Sequence, residues 1–251
     1  MVTLHHFTNP RWFADRGGWR AADAVDRFRA YVEAALPVLD GVDLVCTFNE
    51  PNMTAVLASE NAVESFQAGM LPPGDPAVTD TLAAAHGAAR DVLHPAGHRV
   101  GWTVASQAFQ AAPGAAEAMA AYALSREDVF LALARGDDWL GVQAYTRTVI
   151  GPDASPVPPA ADIERTLTGW EFYRAALGEA VRHAWDRTGG VPLVVTENGI
   201  ATADDERRIA YTTGAWTACS PPSTTGSTSG GICTGAPWTT TSGVPTGPPS
   251  G

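Results

Sequence analysis

What constrains this chain most is the regular alternation of two kinds of segment. Short β-branched runs, "MVTLHHF", "DLVCTFN", "HRVGWTVA", "DWLGVQAYT" and "PLVVTEN", are separated by longer Ala-rich stretches of helical period. Those stretches include "AADAVDRFRAYVEAALPVL", "AVTDTLAAAHGAARDVLH" and "WEFYRAALGEAVRHAWDRTG". In the last of them Phe172, Ala176, Ala180 and His183 recur at helical intervals, and Gly189-Gly190 supplies a C-terminal stop. Strand and helix in alternation predict βα units and a parallel sheet, α/β in class. Near-continuous apolar strands that end in functional groups favour a (β/α) barrel, whose active site collects at the C-terminal strand ends. A doubly wound sheet is the alternative, but the Gly-rich turn that would follow its first strand is absent from the sequence.

The bulk chemistry narrows the function classes. A net charge of -11 and a pI near 4.8 argue against nucleic acid and anionic membrane surfaces, which call for Lys and Arg on the binding face. Cys46, Cys219 and Cys233 are odd in number and lack CxxC spacing, so neither a disulfide framework nor a thiolate metal site is indicated. The N-terminal "MVTLHHFTNP" has no signal-peptide pattern, and no run has the length of a membrane span, so a cytoplasmic location is the expectation.

Two of the apolar runs end in a carboxylate. "VDLVCTFNEPN" leaves Glu50 at its tip, and "VPLVVTENG" does the same with Glu197. Taken singly, a strand-end glutamate is usually a solvated rim residue. As a pair at one barrel mouth, the two fit glycosidic bond hydrolysis. One carboxyl protonates the departing oxygen and the other attacks the sugar carbon, about 5 to 5.5 Å away in retaining enzymes. Only barrel closure can unite residues so distant in sequence. Asn49 and Asn198 flank the acids with amides able to hold sugar hydroxyls, and Pro51 fixes the exit of the chain.

"TFNEPN" and "VVTENGIATADDERRIAY" closely resemble the acid/base and nucleophile signatures of glycoside hydrolase family 1, the β-glucosidase and β-galactosidase family. The resemblance implies an eight-stranded (β/α) barrel that hydrolyses β-glycosides or oligosaccharides by double displacement. Glu50 then corresponds to the acid/base, Glu197 to the nucleophile and Asn49 to the amide on the sugar 2-hydroxyl. "VTLHHFTNPRWFADRGGW" resembles the third strand and its loop, with His6 where a histidine binds a sugar hydroxyl and His5 packed. Adjacent strand residues face opposite ways, so the two histidines do not share a metal. "DWLGVQAYTRTVI" resembles the sixth strand, with Tyr145 orienting the nucleophile. Gln143 stands where the family commonly has Asn, and Ala144 where it has Tyr. No metal or organic cofactor is implied.

The resemblance begins inside the family's third strand, so the expected fold is an incomplete barrel of approximately strands three to seven, over residues 1–211. Residues 212–251 carry no Asp, Glu, Lys or Arg and are rich in Thr, Ser, Gly and Pro, a composition that predicts a disordered tail. Read one nucleotide out of register with permitted codons, this tail can encode a stretch similar to the family's eighth strand, which predicts a frameshift near Trp216. Two other readings stand beside the glycosidase. One is an inactive barrel remnant that at most binds sugar or a partner. The other is a different retaining barrel glycosidase, against which "TENG" and "LHHF" count.

Overall fold

The computed structural model describes residues 1–219. Among the described residues seven strands occur in chain order: β1 (Val2–His6), β2 (Leu44–Asn49), β3 (Arg99–Ala105), β4 (Phe109–Ala111), β5 (Leu140–Ala144), β6 (Thr148–Ile150) and β7 (Leu193–Asn198). Five of them form one parallel sheet in the order β1-β2-β3-β5-β7, and β4 with β6 makes a small parallel ribbon. Strand order follows chain order without reversal. A doubly wound sheet would reverse at a switch point, so the sheet is an arc of a (β/α) barrel.

The five expected strands coincide with the five of the arc, because each is a largely apolar run of strand length, and the three central ones are buried on both faces. In β2 and β3 every residue after the first is buried, as are all five of β5. Helices cover the outside, chiefly Ala24–Ala35, Pro76–Leu93 and Ala176–Thr188. Trp102 of β3, fully buried, stacks on His86 of the Pro76–Leu93 helix with ring centroids 4.4 Å apart. His86 also meets Thr47 of β2 (Nδ1 to Oγ1, 2.7 Å) and both carboxylate oxygens of Asp137 (3.0 Å), a buried polar brace between sheet and helix. His5 is packed between the rings of Trp19 and Phe48, at 5.2 and 5.5 Å.

Two expectations are corrected. The third helix begins at Ala176, and Trp170–Tyr173 belong to the preceding loop. Long-range bonds outweigh helical period there: Arg147 clasps the Glu171 carboxylate (3.0 and 2.9 Å), Thr146 donates to the Glu171 carbonyl (2.9 Å), and Phe172 packs against Tyr211. The boundary drawn at residue 211 also falls inside a helix, Asp205–Cys219, whose Tyr211 and Ala215 are fully buried. It lies against Ala176–Thr188, where the absence of a side chain at Gly178 permits contact: an added Cβ would stand 2.3 Å from the Ala218 carbonyl oxygen. The reading of a disordered, frameshifted tail bears chiefly on residues 220–251, which lie outside the described residues.

Candidate active site

Register brings the expected residues to one end of the arc. His6 pairs with Asn49 across β1 and β2, and Gln143 with Glu197 across β5 and β7. Pairing is irregular just before Asn49 and at Gln143, where bulges re-aim side chains at strand ends.

Glu50 follows Asn49 in a left-handed conformation (φ 48°, ψ 58°), and Pro51 opens the helix Pro51–Leu57. Its N–H donates to the Thr103 carbonyl (2.9 Å), and its carbonyl accepts from the N–H (3.0 Å) and hydroxyl (3.3 Å) of Thr54. The backbone thus turns from strand to helix at this residue and leaves the carboxyl at the mouth. Burial pushes the Glu50 carboxyl up to about 7, and the charge of Glu197 adds to the rise.

Glu197 accepts on both oxygens, at Oε1 from Gln143 Nε2 (2.8 Å) and at Oε2 from the Tyr145 hydroxyl. Burial, and then the bond to Glu197, raise the Tyr145 phenol far above its ordinary range, so it acts as a donor at neutral pH. Tyr211 donates to the Tyr145 carbonyl (2.7 Å) and fixes that strand end from the last helix. Gln143 Nε2 also donates to Asn49 Oδ1 (2.8 Å), which in addition accepts from Thr103 Oγ1 (3.1 Å). Both neighbours of this nitrogen are acceptor oxygens, which settles which way round the amide lies. Asn49 Nδ2 reaches His6 Nε2 (3.3 Å), and the His6 side chain is exposed. A continuous chain of polar contacts therefore runs His6, Asn49, Gln143, Glu197, Tyr145.

All six expected residues, Glu50, Glu197, His6, Asn49, Gln143 and Tyr145, lie at this end of the sheet. The Nδ2 of Asn198 donates to the Ala144 carbonyl (2.6 Å) and ties the end of β7 to β5. Sequence reasoning also passed over Thr103, Tyr211 and Trp170. Trp170 is half exposed, its ring centroid 6.0 Å from that of Tyr145. Its loop is fastened by Arg147 and Glu171, a long-range pairing without a local signature. Among the described residues no group of three His, Cys, Asp or Glu side chains is placed to hold a metal ion, and no helix is long and apolar enough to cross a membrane.

The arc has counterparts among known proteins, and the model of Glycosyl hydrolase family 1 matches residues 1–113. Over that stretch the chain is similar to this family. A β-galactosidase of Saccharolobus solfataricus is 27% identical over 84% of the chain and 53% of its own length. A β-glucosidase of an Agrobacterium species is 28% identical, over 79% of the chain and 52% of its own length. A solved β-glycosidase superposes with a TM-score of 0.74 at 33% identity, covering 86% of this chain and 58% of the other. The chain thus spans about half the length of the curated relatives it matches.

Proposed function

We propose that the chain carries the catalytic site of a retaining β-glycosidase acting on a small β-glycoside or oligosaccharide. The observation that carries the reading is the unequal environment of two carboxyls at one barrel mouth. Glu50 is partly buried, without a carboxylate-stabilising donor among the described contacts, and desolvation holds its proton up to about pH 7. Glu197 is met on each oxygen by a donor, as suits an ionised acceptor. Two titratable groups whose surroundings differ in this way divide into acid and nucleophile.

In this reading Glu50 donates its proton to the glycosidic oxygen while a Glu197 oxygen attacks the anomeric carbon, releasing the aglycone as an alcohol and forming a glycosyl ester. Glu50, now ionised, takes a proton from water, whose oxygen attacks the anomeric carbon and frees Glu197. Two inversions give net retention. Asn49 and His6 hold sugar hydroxyls, with Gln143 linking Asn49 to the nucleophile. A cytoplasmic setting belongs to the same proposal.

Hydrolysis of an aryl β-glucoside tests it: Glu197→Ala abolishes turnover and azide restores it as the glycosyl azide. Unchanged hydrolysis discards the assignment. The second reading, sugar binding without turnover, is favoured by one observation, that the sheet of the described residues is a five-stranded arc. Glucoside binding with no hydrolysis by the parent chain would select it.

A further inference from the structure

The reading of Glu50 as acid/base leaves open what holds that residue in an unfavourable backbone conformation. A non-glycine residue at φ 48° is uncommon. A following proline makes the extended region the preferred one for the residue before it. Glu50 is therefore disfavoured on two counts, and such a turn persists only where its surroundings over-determine it.

Asn52 supplies that constraint. It is 1% exposed and uses both ends of its side-chain amide. Oδ1 accepts from the Ala105 N–H (3.1 Å), and Nδ2 donates to the Ala105 carbonyl (2.9 Å) and to the Arg126 carbonyl (3.0 Å). The regular ladder between β2 and β3 ends at the pair Asn49 and Thr103. Two residues further along β3, at Ala105, the next rung is made by the Asn52 side chain, because the β2 backbone has already turned into a helix. The third bond reaches the π-helical turn Leu124–Asp128, which tethers the same point to a second element. A buried carboxamide with three backbone partners is costly to disturb.

We propose that Asn52 is the positioning residue for the acid/base: its side chain continues the β2–β3 ladder in place of backbone and locks the left-handed turn that aims Glu50 into the site. The inference rests on the reading of Glu50 given above. Without Asn52 the turn relaxes toward extended backbone, and the carboxyl leaves its buried position.

Carbon-13 NMR of glutamate-labelled protein tests this without requiring turnover, with the Glu50 signal assigned through Glu50→Gln. In the parent the midpoint is expected at about 7. In Asn52→Leu, similar in size but without donor or acceptor, the midpoint falls toward the ordinary glutamate value of 4.5. In Thr188→Val, which removes a buried hydroxyl bond to Ala184 in the remote Ala176–Thr188 helix, it stays at about 7. A Glu50 midpoint unmoved in Asn52→Leu overturns the proposal. Should that variant fail to fold, Asn52→Asp decides. Its added charge alone would raise the Glu50 midpoint, so a fall supports the proposal and a rise or no change overturns it. Glu197→Gln is measured alongside: a Glu50 midpoint indifferent to it would refute the paired-carboxylate reading, leaving the Asn52 comparison separately legible. Where the parent turns over, Asn52→Leu loses at least tenfold more on methyl β-glucoside than on a dinitrophenyl β-glucoside, whose leaving group needs no proton.

Discussion

Tyr145 donates its phenolic hydrogen to Glu197, and the two residues reach each other from neighbouring strands of the arc. The bond fixes one carboxylate oxygen, and Gln143 fixes the other. With both oxygens held, the plane of the Glu197 carboxylate is set before any sugar arrives, and positioning of that kind lowers a barrier without reorganisation during the reaction.

Removing the phenolic donor separates this orientation from packing. Tyr145→Phe is expected to lower kcat/KM on an aryl β-glucoside about 100- to 1,000-fold, in line with losses on deleting a single preorganised donor. The ring remains, so the thermal midpoint should move by only a degree or two. Parallel rate and melting measurements check both halves, and a large loss of stability with an unchanged rate would contradict the role.

The raised Glu50 carboxyl gives stability a definite pH dependence. Folded protein keeps a proton here up to about 7, whereas the unfolded chain releases it near 4.5. Between those values the native state binds more protons than the unfolded state, so stability falls as pH rises and levels off above 7. The span corresponds to roughly 3 kcal/mol at most. Glu50→Gln should therefore match or exceed the parent's stability at pH 8 and lack this slope. Urea denaturation from pH 4 to 8 checks it, and a parent that gains stability at this site between 4.5 and 7 would oppose the assignment.

How far the fold was legible depends on the range of the forces. The central arc strands could be read from sequence because burial on both faces demands continuous apolar runs such as "DLVCTFN". Glu50 and Glu197 could be read because each terminates such a run. The start of the last long expected helix could not, since Phe172 has helical spacing but is drawn to Tyr211, while Glu171 is claimed by Arg147. Asn52 belongs to "TFNEPN", yet its three bonds go to backbone 53 and 74 positions away, where residue type says nothing of the partner. The bond of Asn198 to the Ala144 carbonyl is equally invisible in sequence, because a strand-end amide suits a sugar hydroxyl and a neighbouring strand carbonyl alike.

The His86–Asp137 brace should matter to folding and leave the site's chemistry alone. The Asp137 side chain is fully buried and also pairs with Arg90 (3.0 Å). Asp137→Ala strands both partners and is expected to cost about 3 to 5 kcal/mol, the usual penalty for breaking a buried pair from one side. At a few degrees per kcal/mol, the thermal midpoint drops by about 10 °C. The Glu50 titration in the folded variant should stay at about 7, and a shift there would mean that the brace and the site are coupled.

The docking of the Asp205–Cys219 helix can be tested at Gly178. A Cβ there would meet the Ala218 carbonyl oxygen at 2.3 Å and its carbon at 2.6 Å, and backbone atoms yield less readily than a side-chain tip. Gly178→Val must push the two helices apart, at an overpacking cost of about 1 to 3 kcal/mol. Tyr211, anchored on this helix, holds the Tyr145 carbonyl, so the displacement reaches the residue that orients Glu197. Amide hydrogen exchange over residues 205–219 should accelerate while β1 to β3 stay protected, and kcat should fall with little change in KM. Uniform exchange across the sheet would show instead that this helix and the arc unfold as one unit.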